Sequence, residues 1–164
     1  MKRIQLKAFG KINLCLDVLK RLDNGYHQLE MVMQQILLHD DVAVKWTEAL
    51  DEGQDRKGEA PVTIRVSTNK PWLPRDDERN LAYKAAAIMT EHYGKGLCGE
   101  IRIDIKKRIP VAAGLAGGSS NGAAVLHALN VLWNLGLDVR QLCALGSSLG
   151  SEDVYKRQGT GLCY

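Results

Sequence analysis

The stretch Pro110-Val-Ala-Ala-Gly-Leu-Ala-Gly-Gly-Ser-Ser-Asn121 decides the fold of this chain. It lies between residues 101–105, which alternate apolar and polar as a strand does, and residues 122–133, whose apolar positions have helical spacing. A glycine-rich turn that opens a helix presents unpaired backbone N–H groups at the positive end of the helix dipole, where phosphate binds readily. The stretch has neither the Gly-Lys-Ser/Thr of a Walker A loop nor the Gly-x-Gly-x-x-Gly spacing of a dinucleotide fold. Tight packing is the alternative explanation, but the closing serines and asparagine, which can cap a helix or bind metal or phosphate, favour an anion site.

Composition and charge exclude several classes of protein. The 164 residues are enough for one ordinary globular domain, and the formal net charge is only +3. Basic residues are scattered except at Lys106-Lys-Arg108, a run that either faces phosphate or is a solvated strand end, so no nucleic-acid surface is predicted. The four cysteines form no Cys-x-x-Cys pair and are predicted to be reduced, with Cys15 and Cys143 buried. No membrane span or signal peptide is predicted, which favours a cytoplasmic protein.

The periodicity predicts several strands followed by helices. Strands are predicted at residues 4–6, 12–19, 41–46, 61–67 and 101–105, helices at residues 81–89, 120–135 and 139–149, and a surface loop at residues 47–60. Asn24-Gly25 is a tight-turn signal, and residues 26–38 fit either a strand or a helix. His127 is predicted to pack inside the second helix, and Asp138 to cap the third. This order favours an α+β fold with a largely antiparallel sheet.

Three segments, in this order, resemble the GHMP kinase superfamily. They are Ala8-Phe-Gly-Lys-Ile-Asn-Leu-Cys-Leu-Asp-Val18, Lys20-Arg-Leu-Asp-Asn-Gly-Tyr-His-Gln-Leu29 and the glycine-rich stretch. The second segment narrows the resemblance to the branch that acts on a cytidine-diphosphate-linked methylerythritol in bacterial non-mevalonate isoprenoid synthesis. The resemblance covers about residues 2–150. It implies a GHMP kinase N-terminal domain of the ribosomal protein S5 domain 2-like fold, in which helices pack on a mixed, mostly antiparallel sheet. It also implies ATP and Mg²⁺ as cofactors and phosphorylation of an erythritol hydroxyl.

The resemblance implies four residues on the substrate side. Lys11 matches the active-site lysine near the accepting hydroxyl, where its ammonium would stabilise charge on that hydroxyl or on the transferred phosphoryl group. Asn13 matches a residue that contacts substrate. Tyr26 and His27 match the pair that reads cytidine, one by stacking and one by hydrogen bonding. Without the resemblance, these residues would be interpreted as a solvated lysine, a buried amide, a core aromatic and a surface histidine.

The resemblance also implies an ATP site around the glycine-rich stretch. Asn80, Leu81 and Lys107 lie beside the base, although Asn80-Leu81 is also an ordinary helix start. Ser120 would bind Mg²⁺ through its hydroxyl. The family usually has glycine at Ala116, and alanine costs about 1 kcal/mol there if φ is positive. The phosphates would be held by the loop and the first helical turn, at Pro110, Ala113, Gly114, Leu115, Ala116, Gly117, Gly118, Ser119 and Ser120.

The end of the sequence departs from the family pattern. The family has Gly-Ser/Ala-Asp-Val-Pro-Phe, whose aspartate is the presumed catalytic base, where residues 150–155 read Gly-Ser-Glu-Asp-Val-Tyr. Asp153 matches that base, but Glu152 is extra and Pro-Phe is missing. Residues 153–158 also resemble a translated sequencing-library adapter. The hypothesis is therefore an ATP-binding domain at residues 1–152, an assembly scar and remnant tail at residues 153–164, and no C-terminal GHMP domain. Such a chain is expected to have little or no kinase activity and to expose an unpaired sheet edge.

Two other functions stay open at this point. Another GHMP kinase, acting on mevalonate, homoserine or a sugar, would share the glycine-rich stretch but has no reason for Tyr26-His27. A non-catalytic domain of the same fold that contacts RNA would need a basic face, against which the acidic residues 48–55 and the small net charge speak. The predicted partner is thus a small cytidine-diphosphate-linked molecule, with no nucleic acid and no membrane. The sequence leaves the oligomeric state open.

Overall fold

The chain folds as an α+β domain, as predicted. The computed structural model describes residues 2–21, 27–49 and 62–149. The elements in chain order are β1 Lys2–Arg21, β2 His27–Glu48, β3 Thr63–Thr68, α1 Leu81–Tyr93, β4 Gly99–Lys106, α2 Gly117–Leu132 and α3 Val139–Ser147. The sheet has the strand order β1-β2-β4-β3, in which β3 and β4 are parallel and the other neighbours are antiparallel.

The first two strands are longer than the sequence predicts. The two short strands predicted at residues 4–6 and 12–19 are one strand, β1, because β1 pairs with β2 along almost its whole length. Residues 27–38, which fitted strand or helix, are part of β2 for the same reason. The pairing register shifts between Phe9 and Lys11, at Gly10. Such an irregularity bends a strand and redirects the residues that follow it.

The core lies between one face of the sheet and helices α1 and α2. In β4 the isoleucines are buried and the residues between them are exposed, which is the strand alternation of a sheet covered on one side. Small residues from both helices allow close approach over this face. The buried core includes Ile101, Ile103 and Ile105 of β4, Ala82, Ala85 and Ala86 of α1, and Ala124, Ala128 and Leu129 of α2.

Local signals set the helix ends. The Asn80 side chain caps α1 by accepting a hydrogen bond from the Ala82 N–H at 3.0 Å, and Gly94 is the C-cap, so α1 runs four residues beyond the helix predicted at residues 81–89. Asp138 caps α3 in a reciprocal capping box with Gln141. Helix α2 begins at Gly117, three residues before the predicted start, because Gly117 and Gly118 already have helical geometry.

The second half of β1, from Lys11, and the first half of β2, up to Leu38, form a two-stranded ribbon that carries exposed apolar residues. Leu14 is 63% exposed, Val18 60% and Leu37 88%. The prediction that Cys15 is buried is wrong because Cys15 lies on this ribbon and is exposed, and Cys143 is only partly buried. The prediction for His127 is also wrong, since it is exposed on the outer side of α2. Within the described ranges, no helix is long and apolar enough to cross a membrane.

Candidate functional site

A cleft of about 420 Å³ lies between the glycine loop, defined here as residues 110–116, and the segment that leads into α1. Residues 110–119 all line it, and so do Lys11, Asn80, Leu81 and Lys107. The fold thus brings together residues predicted from distant parts of the sequence. Of the residues predicted to bind ATP, Ser120 is the one that does not line the cleft.

The glycine loop turns through three residues with positive φ. These are Ala112 at 59°, Gly114 at 71° and Ala116 at 57°. A side chain at Gly114 would meet no atom within 4 Å, so the backbone conformation, not space, favours glycine there. Ala116 does adopt the left-handed conformation, which costs an alanine about 1 kcal/mol. The loop keeps its shape despite that strain.

The start of α2 presents backbone donors to the cleft. Ala116 is the N-cap residue, and no side chain in the described chain caps the helix there. The N–H of Ser120 donates to the Ala116 carbonyl at 2.9 Å, and the N–H groups of Gly117, Gly118 and Ser119 come before this first intrahelical bond. A Cβ on Gly117 would lie 2.9 Å from the Cγ2 of Ile109, so the backbone packs closely at this point. The arrangement is an anion-binding helix N-terminus.

Lys11 is held against the glycine loop through its backbone. After the irregularity at Gly10, the Lys11 N–H donates to the Leu115 carbonyl at 3.1 Å. The Lys11 ammonium donates to Oδ1 of Asn13 at 3.2 Å. Lys11 is partly buried and lines the cleft, whereas Asn13 is exposed, which contradicts the interpretation as a buried amide. The strand therefore delivers a positive charge to the same cleft as the helix N-terminus.

Ser120 has a different environment from the one predicted for a metal ligand. Its hydroxyl donates to the Phe9 carbonyl at 2.7 Å and thereby ties α2 to β1. Ser119, in contrast, lines the cleft. The residue predicted to bind Mg²⁺ is therefore directed at the sheet, and its neighbour is the serine that borders the cleft.

Asp40 is a buried acid that the sequence analysis did not single out. It is 0% exposed, and one carboxylate oxygen accepts hydrogen bonds from the N–H groups of Arg108 and Ile109 at 2.7 and 2.9 Å. Its other oxygen pairs with the ammonium of Lys107 at 2.5 Å. Asp40 thus anchors the segment that enters the glycine loop, and Lys107 is a buried ion-pair partner at the cleft wall. The signal in the sequence is a pair of adjacent acids, Asp40 and Asp41, just before the apolar residues 42–44 of β2.

Asn80 and Leu81 form the opposite wall of the cleft. Both ends of the Asn80 amide are engaged, because its Nδ2 donates to the Pro74 carbonyl at 2.7 Å while its Oδ1 caps α1. Leu81 lies close to the start of α2, where a Cβ on Gly118 would be 3.4 Å from its side chain. Leu73, Pro74 and Leu81 give this wall an apolar surface that suits a flat ring.

Arg79 also lines the cleft, at its exposed rim, and was not predicted. Its guanidinium donates to the Asp77 carboxylate at 2.6 Å. This hydrogen bond lowers the pKa of Asp77 below its ordinary value of 3.8, and it raises the pKa of Arg79. The pair therefore stays charged at neutral pH and holds the turn that precedes Asn80.

The residues predicted to read cytidine are remote from the glycine loop. His27 is exposed at the first position of β2 and pairs with Arg21, while Lys11 pairs with Gln35. Roughly 25 Å of extended strand separates these two pairs. His27 does not line the cleft, and Tyr26 lies outside the described residues. Asp153, the domain boundary at residue 152 and the hypothetical scar also lie outside them.

Metal ligands other than the serines are scarce in this cleft. Among the described residues, no group of three or more histidines, cysteines or acids is placed to hold a metal ion. A magnesium ion that arrives with nucleotide phosphates needs few protein ligands, and one hydroxyl is a usual share. Ser119 is a hydroxyl residue in the wall of this cleft.

The sheet, the glycine loop and the uncapped helix N-terminus together define a domain of the GHMP type. Residues 80–162 match the family of GHMP kinases, N terminal domain, which is half of the chain. The chain therefore belongs to the GHMP kinase family. The match begins at the cap of α1 and includes β4, the glycine loop and α2, the elements that build the cleft.

Relatives within the family are named for one enzyme. The chain is 48% identical over 152 residues to 4-diphosphocytidyl-2-C-methyl-D-erythritol kinase of Alkaliphilus metalliredigens, which covers 93% of the chain and 47% of the relative. It is 43% identical over 161 residues to the same enzyme of Clostridium botulinum, and this match covers 98% of the chain and 52% of the relative. The chain thus spans about half the length of the curated relatives it matches.

Solved structures support the same fold. A crystal structure of 4-(cytidine 5'-diphospho)-2C-methyl-D-erythritol kinase matches 93% of this chain and 48% of its own, with a TM-score of 0.66 and 34% identity. Homoserine kinase of Cytophaga hutchinsonii matches 92% of this chain with a TM-score of 0.58 and 20% identity. The second likeness shows the fold alone.

Proposed function

We propose that this chain belongs to an enzyme that transfers the terminal phosphoryl group of ATP to a hydroxyl of 4-diphosphocytidyl-2-C-methyl-D-erythritol, on the erythritol moiety. One observation carries the proposal: the Lys11 N–H bonds to the Leu115 carbonyl at 3.1 Å, so a lysine adjoins the helix N-terminus at one cleft. The names of the relatives at 43–48% identity support this substrate. The exposed thiol of Cys15 fits the reducing cytoplasm of a bacterium, the location we propose.

The chemistry requires positioning and charge stabilisation more than covalent catalysis. The N–H groups of Gly117, Gly118 and Ser119 bind the phosphates of ATP, with the helix dipole adding to their attraction. The Lys11 ammonium stabilises the negative charge on the transferred group and on the attacking oxygen. Asn13 orients that ammonium through its hydrogen bond.

Two further groups complete the proposal. Ser119, which lines the cleft, would help to hold a magnesium ion that arrives with the nucleotide, and such an ion would neutralise phosphate charge. The proton of the accepting hydroxyl needs a base, and Asp153 stays the prediction for that role. Tyr26 and His27 stay the prediction for contact with the cytosine, and Lys11 stays the prediction for contact with the erythritol.

Binding measurements on the 164-residue chain test the proposal without depending on turnover. Calorimetric titration is expected to detect Mg-ATP and cytidine 5'-diphosphate at separate sites. His27→Ala weakens cytidine diphosphate binding about tenfold, the equivalent of one lost hydrogen bond, and leaves ATP binding unchanged. Lys11→Met weakens ATP binding instead. His127→Ala and Lys7→Met, which alter exposed residues of the same types, change neither affinity.

Each outcome separates the proposed function from its alternatives. Binding of ATP without preference for cytidine diphosphate over uridine diphosphate would assign the chain to a kinase of another substrate. Binding of RNA without ATP would favour the non-catalytic domain. The expectation that this chain has little or no turnover stays a prediction, which a phosphoryl-transfer assay beside a longer relative tests.

A further inference from the structure

Four basic residues form one row across the outer face of the sheet, which points away from α1 and α2. The pairing register places Arg3 opposite Lys45, Lys45 opposite Arg102, and Arg102 opposite Arg65. These residues are far apart in the sequence, so the row exists only in the folded sheet. Neighbouring strands lie about 4.8 Å apart, and the four residues, called the cationic row below, therefore span about 14 Å.

The cationic row opposes the stability of the sheet. Like charges that lie directly opposite each other on neighbouring strands are destabilising. Glu100 relieves part of this repulsion, since its carboxylate lies 3.2 Å from Arg102 and 3.6 Å from Arg65. In the described part of the chain, no carboxylate lies within ion-pair distance of Arg3 or Lys45. Within that part, the β1 and β2 end of the row therefore carries two positive charges that no acid compensates.

The surroundings of the cationic row favour carboxylates as its partners. The outward-facing rows on either side of it consist of Gln5, Ala43, Asp104 and Ser67, and of Thr47, Glu100 and Thr63. None of these side chains is aromatic or large and apolar, whereas base stacking and insertion into lipid require such side chains. The guanidinium groups of the row bind carboxylates through paired hydrogen bonds. The surface thus suits an acidic protein better than a nucleic acid or a membrane.

The spacing of the row matches a helix that lies across the strands. On one face of a helix, residues three and four positions apart have Cβ atoms about 5–6 Å apart, close to the strand spacing of about 4.8 Å. Residues on one face of an extended segment are about 6.8 Å apart and match less well. About ten residues of helix cover the length of the row.

We propose that the cationic row docks an acidic helix of a partner protein, with carboxylates from one face of that helix over Arg3, Lys45 and Arg102. Such a partner supplies the negative charge that the β1 and β2 end of the row lacks. None of the four basic residues lines the cleft. Docking therefore does not depend on bound nucleotide.

A synthetic helix tests the inference on the full chain. The probe is a fluorescently labelled, alanine-based peptide of about 14 residues that carries glutamates three and four positions apart on one face. A control peptide has the same composition, with its glutamates distributed around the helix. At low salt, fluorescence anisotropy is expected to show about tenfold tighter binding of the first peptide, the equivalent of two or three surface ion pairs. Binding weakens as the salt concentration rises, because salt screens exposed charges.

Two variants of equal charge separate the cationic row from the net charge of the chain. Arg3→Gln/Lys45→Gln is expected to weaken binding of the one-faced peptide about tenfold. Lys20→Gln/Arg21→Gln removes the same two residue types from the exposed end of β1 and leaves binding unchanged. Because repulsion is removed, the melting temperature of Arg3→Gln/Lys45→Gln is expected to equal or exceed that of the wild-type chain. Should this variant fail to fold, Lys45→Gln alone carries the test.

The outcomes are distinguishable. Equal loss of binding in the two double variants overturns the inference, because the attraction then reflects net charge alone. Equal binding of the two peptides overturns it as well. Binding of an oligouridylate or of phosphatidylglycerol vesicles, lost in Arg3→Gln/Lys45→Gln and without binding of the peptide, assigns the row to RNA or to a membrane and overturns the acidic helix. None of these measurements involves ATP, so their failure leaves the proposed function untouched.

Discussion

Replacing Asp40 by asparagine tests whether one buried carboxylate organises the entrance to the glycine loop. The substitution keeps the size of the side chain and removes its charge. Asp40 is 0% exposed, and its partner Lys107 is 7% exposed, so water does not compensate either charge. The amide oxygen of asparagine still accepts from the N–H groups of Arg108 and Ile109, but its nitrogen faces the ammonium of Lys107, and both are donors.

The expected loss follows from that geometry. Removing one partner of a buried ion pair costs about 3–5 kcal/mol, mainly because the remaining charge is left buried and uncompensated. For a domain of this size, each kcal/mol lowers the melting temperature by about 2–4 °C, so Asp40→Asn is expected to lower it by about 6–20 °C. Asp41→Asn is the matched control. Asp41 pairs with Arg108 at 2.6 Å but is 22% exposed, and such surface pairs contribute about 0.2–1 kcal/mol.

Urea denaturation and thermal melting measure both variants. The double variant Asp40→Asn/Lys107→Met removes the uncompensated charge and is expected to recover most of the lost stability. An unfolding free energy of Asp40→Asn within about 1 kcal/mol of the wild-type value would refute the reasoning. A double variant no more stable than the single one would show that the buried charge is not the cause.

Three further predictions follow from the same cleft and its rim. Gly117→Ala sets a methyl group 2.9 Å from Ile109 and 3.1 Å from the Lys107 ammonium. Calorimetry is therefore expected to show ATP binding at least about tenfold weaker, and thermal melting is expected to show lower stability. Unchanged ATP binding contradicts this prediction. Ala116→Gly relieves about 1 kcal/mol of strain and adds a similar entropy to the unfolded chain, so its melting temperature stays within about 2 °C; a larger loss would mean that the positive φ is not strained. The folded pKa of Asp77 is depressed below 3.8, so its contribution is present above that pH and is lost as the pH falls through the folded pKa. Asp77→Asn is therefore expected to differ most in stability from the wild-type chain above pH 3.8, and a difference that grows on acidification contradicts this.

Short-range patterns were sufficient for much of the fold. The alternation in β4 and the caps at Asn80 and Asp138 depend on residues a few positions apart, so the sequence predicts them directly. The length of β1 and β2 was beyond such patterns. Both strands are extended by pairing with each other, and their irregularities occur where the pairing shifts register.

In the candidate site, too, some residues are predicted by short sequence motifs and others are positioned by distant contacts. The glycine loop, Lys11 and the residues before α1 carry motifs, and the fold does bring them to one cleft. Ser120 carried the same motif, but its hydroxyl bonds to the Phe9 carbonyl, 111 residues away in the sequence. No local pattern records which of two adjacent serines is directed at the sheet.

By itself, the sequence determined that this protein has a glycine-rich loop at the start of a helix, an α+β order of elements and the motifs of one kinase family. It did so because glycine spacing, capping residues and periodicity act over a few residues. The tertiary structure alone decided that Asp40 anchors the loop through Lys107, 67 residues away, and that the Oδ1 of Asn121 is buried with no hydrogen-bond partner among the described residues. These features depend on burial, which makes a charge or a carbonyl costly unless a distant residue or a ligand satisfies it.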